Sequence, residues 1–169
     1  IREDASINLE AVDRMLEKAK ETTRRGEYTQ VEYARFADDL VVLISWHPSQ
    51  DWLCRAVDKR LREELTKIQV TVNEEKSRTV DLTKGESFDF LGFRWQRVLG
   101  RSGKWHPLFT PLLKKRKVLT EKISLTFSCL QSRPVAVVVK AINPVLRGWV
   151  NYFRVGHASR TFSYIRWWV

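Results

Sequence analysis

The chain has 169 residues, 43% of them hydrophobic, and its 30 Lys and Arg against 20 Asp and Glu give a formal net charge of +10. This composition suffices for one domain or two small ones with an apolar core, and it excludes a disordered or collagen-like protein. No apolar run approaches the roughly 18 to 20 residues of a membrane span, so we expect a soluble protein without a membrane partner. The 2 cysteines lack metal-ligand spacing, which favours a reducing, intracellular compartment.

The positive charge is concentrated in the C-terminal part of the chain. Residues 1–100 carry a net charge of −2, whereas residues 101–169 contain 13 basic residues and one acidic residue, Glu121. A surface this basic is typical of a protein that binds a polyanion, and nucleic acid is the usual polyanion inside a cell. The alternative is a solvated basic surface that only keeps the protein in solution.

The spacing of apolar residues in the first hundred positions predicts mixed helices and short strands. In chain order these are a helix over Ala5–Arg25, strands over Val31–Phe36 and Leu40–Trp46 around an Ala37-Asp38-Asp39 turn, a helix from Ser49 or Asp51 to about Ile68, and strands over Val70–Val72, Thr79–Leu82 and Phe88–Val98. The last two strands are predicted to be joined by a turn around Lys84-Gly85.

Beyond residues 100–104 the apolar spacing changes to that of helices. The predicted helices cover Pro111–Leu130, Pro134–Arg147, Gly148–Val155 and Phe162–Trp168. Pro134 suits a first helical turn, whereas Pro144 is expected to end or kink its helix. We therefore predict an α+β unit over residues 1–104 and a basic helical unit over residues 105–169.

Asp38 and Asp39 are adjacent carboxylates at the tip of the predicted hairpin. Carboxylate oxygens and substrate phosphates are the ligands that Mg²⁺ prefers, and two such ions can promote phosphoryl transfer. Alone, the pair is weak evidence of a metal site because acidic residues favour turns.

Four segments of the chain together resemble one family. Tyr33–Val42, read as YARFADDLVV, resembles the palm hairpin of reverse transcriptases with its Tyr-Ala-Asp-Asp box. Val72–Thr79 resembles the next palm motif, and Phe88–Phe93 resembles the following Phe-Leu-Gly-Phe motif. Ala141–Arg154 resembles the signature of the maturase-specific thumb region in group II intron-encoded proteins. The four segments occur in the order and at the approximate spacing of that family.

The resemblance implies the C-terminal part of a polymerase palm, with antiparallel strands and helices, over residues 1–104, followed by a basic α-helical thumb or maturase domain over residues 105–169. Its implied activity is RNA-directed DNA polymerisation by two-metal nucleotidyl transfer, together with a maturase role in intron RNA folding and splicing. The implied cofactor is Mg²⁺. The implied partners are group II intron RNA as template, a DNA primer and deoxynucleoside triphosphates.

The resemblance also assigns roles to particular residues. Asp38 and Asp39 are the predicted catalytic metal ligands, and Lys76 is the predicted cation beside the incoming nucleotide. The predicted substrate or primer contacts are Phe36, Leu91 and Gly92. The predicted RNA contacts are Lys114, Lys115, Arg116, Lys117, Arg147, Trp149, Tyr152 and Arg154. The alternatives are a surface lysine at Lys76, a strand bend at Gly92, a solvated basic run, and aromatic residues that pack the thumb helices.

The sequence departs from the family pattern in two places that affect the predicted roles. Phe36 stands where the family usually has Tyr, so the ring is kept and the hydroxyl is lost. No segment before the hairpin resembles the first palm motif, with its further aspartate, or the template-holding fingers. The chain begins with Ile1 rather than Met, and we expect an excerpt of a longer protein.

The chain alone is therefore expected to bind metal weakly and to need an N-terminal finger and palm segment, in cis or in trans, for polymerisation. The alternative function is a non-catalytic RNA-binding splicing factor. A bacterial cytoplasm is the predicted location, with an organelle as the alternative.

Overall fold

A computed structural model of the chain describes residues 9–26, 30–45 and 51–169. It divides into two compact units, the N-terminal unit Ile1–Arg78 and the C-terminal unit Thr79–Val169. Helices occur together with two small antiparallel sheets, which confirms the predicted α+β class. The division near residue 105, which was predicted from the change in apolar spacing, stays a prediction.

The N-terminal unit packs two helices with a hairpin. In chain order the elements are α1 Glu10–Thr22, β1 Val31–Phe36, β2 Asp39–Ile44 and α2 Asp51–Lys67. Apolar residues one helical turn apart, Val12 and Leu16 in α1 and Leu53 and Val57 in α2, form a buried cluster with Val31. The predicted helix residues 5–8, the strand end at Trp46 and the cap at Ser49 lie outside the described residues.

The predicted strands after α2 are wrong in three respects. Val70–Val72 and Thr79–Leu82 pair with no strand among the described residues, and a 3₁₀ turn covers Leu82–Lys84. Phe88–Val98 is not one strand but a hairpin of β3 Ser87–Phe90 and β4 Phe93–Leu99. The predicted turn before it is present, with Gly85 in the left-handed conformation at φ +80°.

A strand that the sequence did not predict, β5 Trp105–Pro111, completes the second sheet. It pairs antiparallel with β4, from Phe93 opposite Pro111 to Leu99 opposite Trp105. Proline is tolerated here because β5 is an edge strand, which needs to donate hydrogen bonds on one side only.

Three helices follow, α3 Leu113–Cys129, α4 Val135–Phe153 and α5 Ser159–Trp168. Their buried cluster contains Leu119, Ile123, Ile142 and Ile165. The prediction that Pro144 could end its helix is wrong, because α4 continues through it and joins the two helices predicted over Pro134–Arg147 and Gly148–Val155. Pro144 has no N–H to donate to the Lys140 carbonyl, and both residues are exposed. Within the described residues, no helix has the length and apolar character that crossing a membrane requires.

Candidate nucleic-acid interface

The tip of the first hairpin presents two carboxylates to solvent. The register pairs Phe36 with Asp39, so the connecting loop is Ala37-Asp38 and Asp39 already belongs to β2. Both aspartates are exposed, and neither forms an ion pair with another described residue. The Phe36 ring opposite Asp39 is 64% exposed. The predicted metal ligands and the predicted substrate contact therefore occupy one accessible tip.

The loop that carries Asp38 has a strained backbone. Ala37 adopts φ +52°, a left-handed conformation in which a side chain crowds the carbonyl of its own residue. Such conformations persist where the surrounding structure holds them, and they concentrate at functional sites.

The carboxylate pair fits part of a magnesium site. Mg²⁺ is commonly held by one or two carboxylates, with water and substrate phosphates completing its shell. Within residues 9–26, 30–45 and 51–169, no group of three or more His, Cys, Asp or Glu is placed to hold a metal ion. Among the described residues, this tip therefore offers a metal ion no more than the two predicted ligands, Asp38 and Asp39.

Side chains of α1 hold the hairpin in place, which the sequence analysis missed. Arg35 donates from Nε to both carboxylate oxygens of Asp13, at 2.9 and 3.1 Å, and this ion pair is half-buried. The Tyr33 hydroxyl donates to Glu17 at 3.1 Å. Burial, reinforced by this hydrogen bond, raises the pKa of Tyr33. The sequence did contain a signal for this anchoring. Asp13, Glu17 and Lys20 recur at helical spacing along α1, and Lys20 also forms an ion pair with β1, through Glu32.

Lys76 lies in an exposed turn after α2. Its backbone N–H donates to Asn73 Oδ1 at 3.3 Å, and Arg62 ties the turn to α2 through an ion pair with Glu74. This guanidinium lowers the pKa of the Glu74 carboxyl. In the described part of the chain, no hydrogen bond or ion pair joins Lys76 to the hairpin carboxylates. Its catalytic role stays a prediction.

The turn between β3 and β4 is the predicted primer contact, and the C-terminal helices hold it. Leu91 and Gly92 have φ values of +50° and +79°, as expected for a tight two-residue hairpin turn. The Tyr152 hydroxyl donates to the Leu91 carbonyl at 2.9 Å, and the Leu112 N–H donates to the Gly92 carbonyl at 2.9 Å. A Cβ at Gly92 would lie 3.5 Å from Phe153 Cζ. The turn is thus fixed to α4 and to the start of α3.

An aromatic cluster joins the second sheet to α4. The Phe93 ring centroid lies 5.0 Å from Phe153, 5.9 Å from Phe109 and 6.0 Å from Tyr152. Trp149 packs on Phe153 at 4.4 Å. Two predicted RNA contacts, Trp149 and Tyr152, therefore have packing partners inside the unit, as the alternative interpretation of these residues expects. Their contact with RNA stays a prediction.

The basic side chains of residues 101–169 have no acidic partners. Every residue from 101 to 169 is described, and none of the 13 basic side chains in that range forms an ion pair. A repulsive arrangement of this kind is relieved when a polyanion neutralises it.

The predicted cationic run lies at the start of α3. Lys114, Lys115 and Lys117 are exposed, and the half-buried Arg116 places its guanidinium 4.0 Å from the centre of the Tyr164 ring. The first turn of α3 contains no acidic residue. Because the N-terminus of a helix is itself partially positive, the run and the helix together favour a bound anion.

A second row of cations follows the outer side of α4. Lys140, Arg147 and Arg154 recur every seven residues, or about 10.5 Å along a helix, and all three are exposed. Arg154 is the C-cap residue and keeps a helical backbone conformation. Ile142 and Phe153 of the same helix are buried. Arg147 and Arg154 are among the predicted RNA contacts, whereas Lys140 is not, although the seven-residue spacing places it in the same row.

The C-terminal part of the chain matches the model of a known family. The model of the family described as "Group II intron, maturase-specific domain" matches residues 116–169, which include most of α3 and all of α4 and α5. Over these residues the chain is similar to the maturase-specific domain, as the Ala141–Arg154 segment predicted, and the match supports the predicted maturase fragment. A search of curated proteins finds no match to the chain.

Proposed function

We propose that this chain is the C-terminal palm and thumb portion of a group II intron-type reverse transcriptase that also acts as an RNA-binding maturase. The observation that carries the RNA-binding role is the set of 13 cations in residues 101–169 without an ion pair. Phosphates of intron RNA would supply the missing anions, and release of their counterions would drive binding.

The polymerase part of the proposal is supported by the first hairpin. Its two exposed carboxylates lie on a tip that α1 anchors through Arg35, one residue before the exposed Phe36 ring. Asp38 and Asp39 would hold Mg²⁺, which when bound assists transfer of a nucleotidyl group to a primer hydroxyl. A deoxynucleoside triphosphate and a DNA primer are the substrates, and a bacterial cytoplasm is the location we propose.

The RNA-binding role is tested by the salt dependence of affinity. The dissociation constant of the 169-residue chain for a transcribed group II intron RNA is measured over a salt series. Replacing Lys114, Lys115 and Lys117 by Gln should flatten the logarithmic salt slope by about 2 to 3 units if each lysine contacts one phosphate. Arg116 is kept because it packs on Tyr164.

The matched control removes the same charge from the N-terminal unit by replacing Lys18, Lys59 and Lys67 with Gln. The control should leave the slope unchanged. An unchanged slope in the α3 variant would remove this run from the RNA interface, and equal flattening in both variants would show a general charge effect.

The catalytic role is tested with a protein that includes the N-terminal palm segment. The double substitution Asp38→Asn and Asp39→Asn should abolish Mg²⁺-dependent primer extension and leave affinity for the intron RNA unchanged. Primer extension at the wild-type rate would refute the assignment of these carboxylates.

One observation favours a second candidate, a non-catalytic RNA-binding splicing factor. The described residues provide no third ligand beside the aspartate pair. If the protein functions only in this way, the same double substitution leaves intron splicing at its wild-type rate, and the wild-type protein with its N-terminal segment extends no primer.

A further inference from the structure

Helix α5 exposes aromatic rings on a surface that is otherwise cationic. Arg160, Tyr164 and Trp167 are separated by four and three residues, so they lie on one side of the helix over two turns. Ile165, on the opposite side, is buried. Trp167 is 83% exposed, the highest value among the exposed large hydrophobic residues of the described chain.

The aromatic side of α5 adjoins the cationic run of α3. Arg116 belongs to that run, and its guanidinium lies 4.0 Å from the centre of the Tyr164 ring, a distance typical of a cation–π contact. The contact thus joins α5 to the cationic run through Arg116. We name Arg116, Arg160, Tyr164 and Trp167 the α5 platform.

The α5 platform combines cationic groups with an exposed aromatic ring, and few ligands can bind both. Its cations and those of the adjacent run favour phosphates, whereas the exposed indole of Trp167 favours a flat apolar partner. A paired RNA helix offers phosphates but keeps the faces of its bases stacked inside. An unpaired strand offers both phosphates and free base faces, and aromatic rings bind such bases by stacking.

We infer that the α5 platform binds an unpaired segment of RNA, with a base stacked on Trp167 and neighbouring phosphates beside Arg160 and the α3 run. This inference rests on the proposed function, which requires only that the C-terminal unit binds RNA. It adds that the RNA bound at α5 is single-stranded there.

The test compares two RNA probes and two tryptophan substitutions. The dissociation constant of the 169-residue chain is measured for a single-stranded oligonucleotide without self-complementarity and for the blunt duplex of the same sequence. Trp167→Ala should weaken single-strand binding by about 5- to 150-fold, the range for loss of one stacked base, and leave duplex binding within twofold. The logarithmic salt slope should stay unchanged because no charge is removed.

Two further variants control this result. Trp52→Ala removes a tryptophan that is also strongly exposed, at 61%, but lies in α2 of the N-terminal unit, and it should not change either affinity. Trp167→Phe keeps a ring for stacking and should restore most of the single-strand affinity, whereas Trp167→Leu should not. Because Trp167 is exposed, all variants should keep the circular dichroism spectrum of the wild type.

The outcomes separate this inference from the proposed function. Equal weakening of both probes by Trp167→Ala, wild-type affinity in that variant, or full affinity in Trp167→Leu would overturn the single-strand inference while RNA binding stands. Wild-type affinity in Trp167→Ala would assign the exposed indole to a protein contact instead. If the wild-type chain binds neither these probes nor intron RNA, the proposed function itself fails.

Discussion

Gly156, between α4 and α5, lies where a side chain has no room. A Cβ at this position would come within 2.6 Å of Phe93 Cε1 and 3.0 Å of the Phe109 carbonyl oxygen. Neither neighbour can move easily, because Phe93 is buried among other rings and the same carbonyl accepts the His157 N–H at 2.8 Å. Overpacking of this kind costs about 1 to 3 kcal/mol, and we expect Gly156→Ala to lower the free energy of unfolding by about 2 to 3 kcal/mol.

The matched control is the same substitution at Gly148. Gly148 lies inside α4, and a Cβ at this position would have no atom within 4 Å apart from its chain neighbours and the backbone of its own helix, so alanine adds helix propensity without a clash. Gly148→Ala should therefore raise the free energy of unfolding by up to about 1 kcal/mol.

Urea unfolding followed by tryptophan fluorescence measures both changes. Five of the 7 tryptophans lie in residues 79–169, so the signal reports mainly on the C-terminal unit. A Gly156→Ala protein that unfolds at the wild-type midpoint or above would refute the close packing of the sheet against the segment before α5.

Two further substitutions test the contacts that hold the candidate sites. Tyr152→Phe removes the hydrogen bond to the Leu91 carbonyl and should lower the free energy of unfolding by about 0.5 to 1.5 kcal/mol, as urea unfolding would show. A loss of RNA affinity without a loss of stability would instead place this hydroxyl in the RNA interface. Asp13→Asn weakens the half-buried pair with Arg35 and should cost about 1 to 2 kcal/mol in urea unfolding followed by circular dichroism. The control Glu10→Gln, which removes an exposed pair, should cost under about 0.5 kcal/mol, and equal costs would contradict an anchoring role for Asp13.

The sequence predicted those elements whose apolar spacing is regular. The helices α1, α2 and α5 and the first hairpin follow directly from such spacing. The turn at Leu91-Gly92 escaped because leucine rarely adopts a positive φ, and β5 escaped because Pro107 and Pro111 argue against a strand unless its position at the sheet edge is known. Both errors arise because the turn and the strand depend on tertiary structure, which a local sequence pattern does not specify.

In the candidate sites, too, the features that are local in sequence could be predicted and those that depend on tertiary contacts could not. The hairpin aspartates and the cationic run are contiguous in sequence, so their motifs could be read directly. The contact between Tyr152 and the Leu91 carbonyl joins residues 61 positions apart, and the contact between Arg116 and Tyr164 likewise needs two helices to meet. No local pattern distinguishes a tyrosine that binds RNA from one that holds a turn.

The cationic run of α3 opposes the stability of its own helix. Lys114, Lys115 and Lys117 lie at the positive end of the helix dipole, with no ion-pair partner among the described residues. Replacing all three with Gln should therefore raise the free energy of unfolding, by about 1 kcal/mol in low salt, while it weakens RNA binding. Urea unfolding and RNA titration of the same variant measure both effects. A variant that loses stability would show that the run supports the fold, whereas opposite changes would show that these lysines are retained for a polyanion at the expense of the helix.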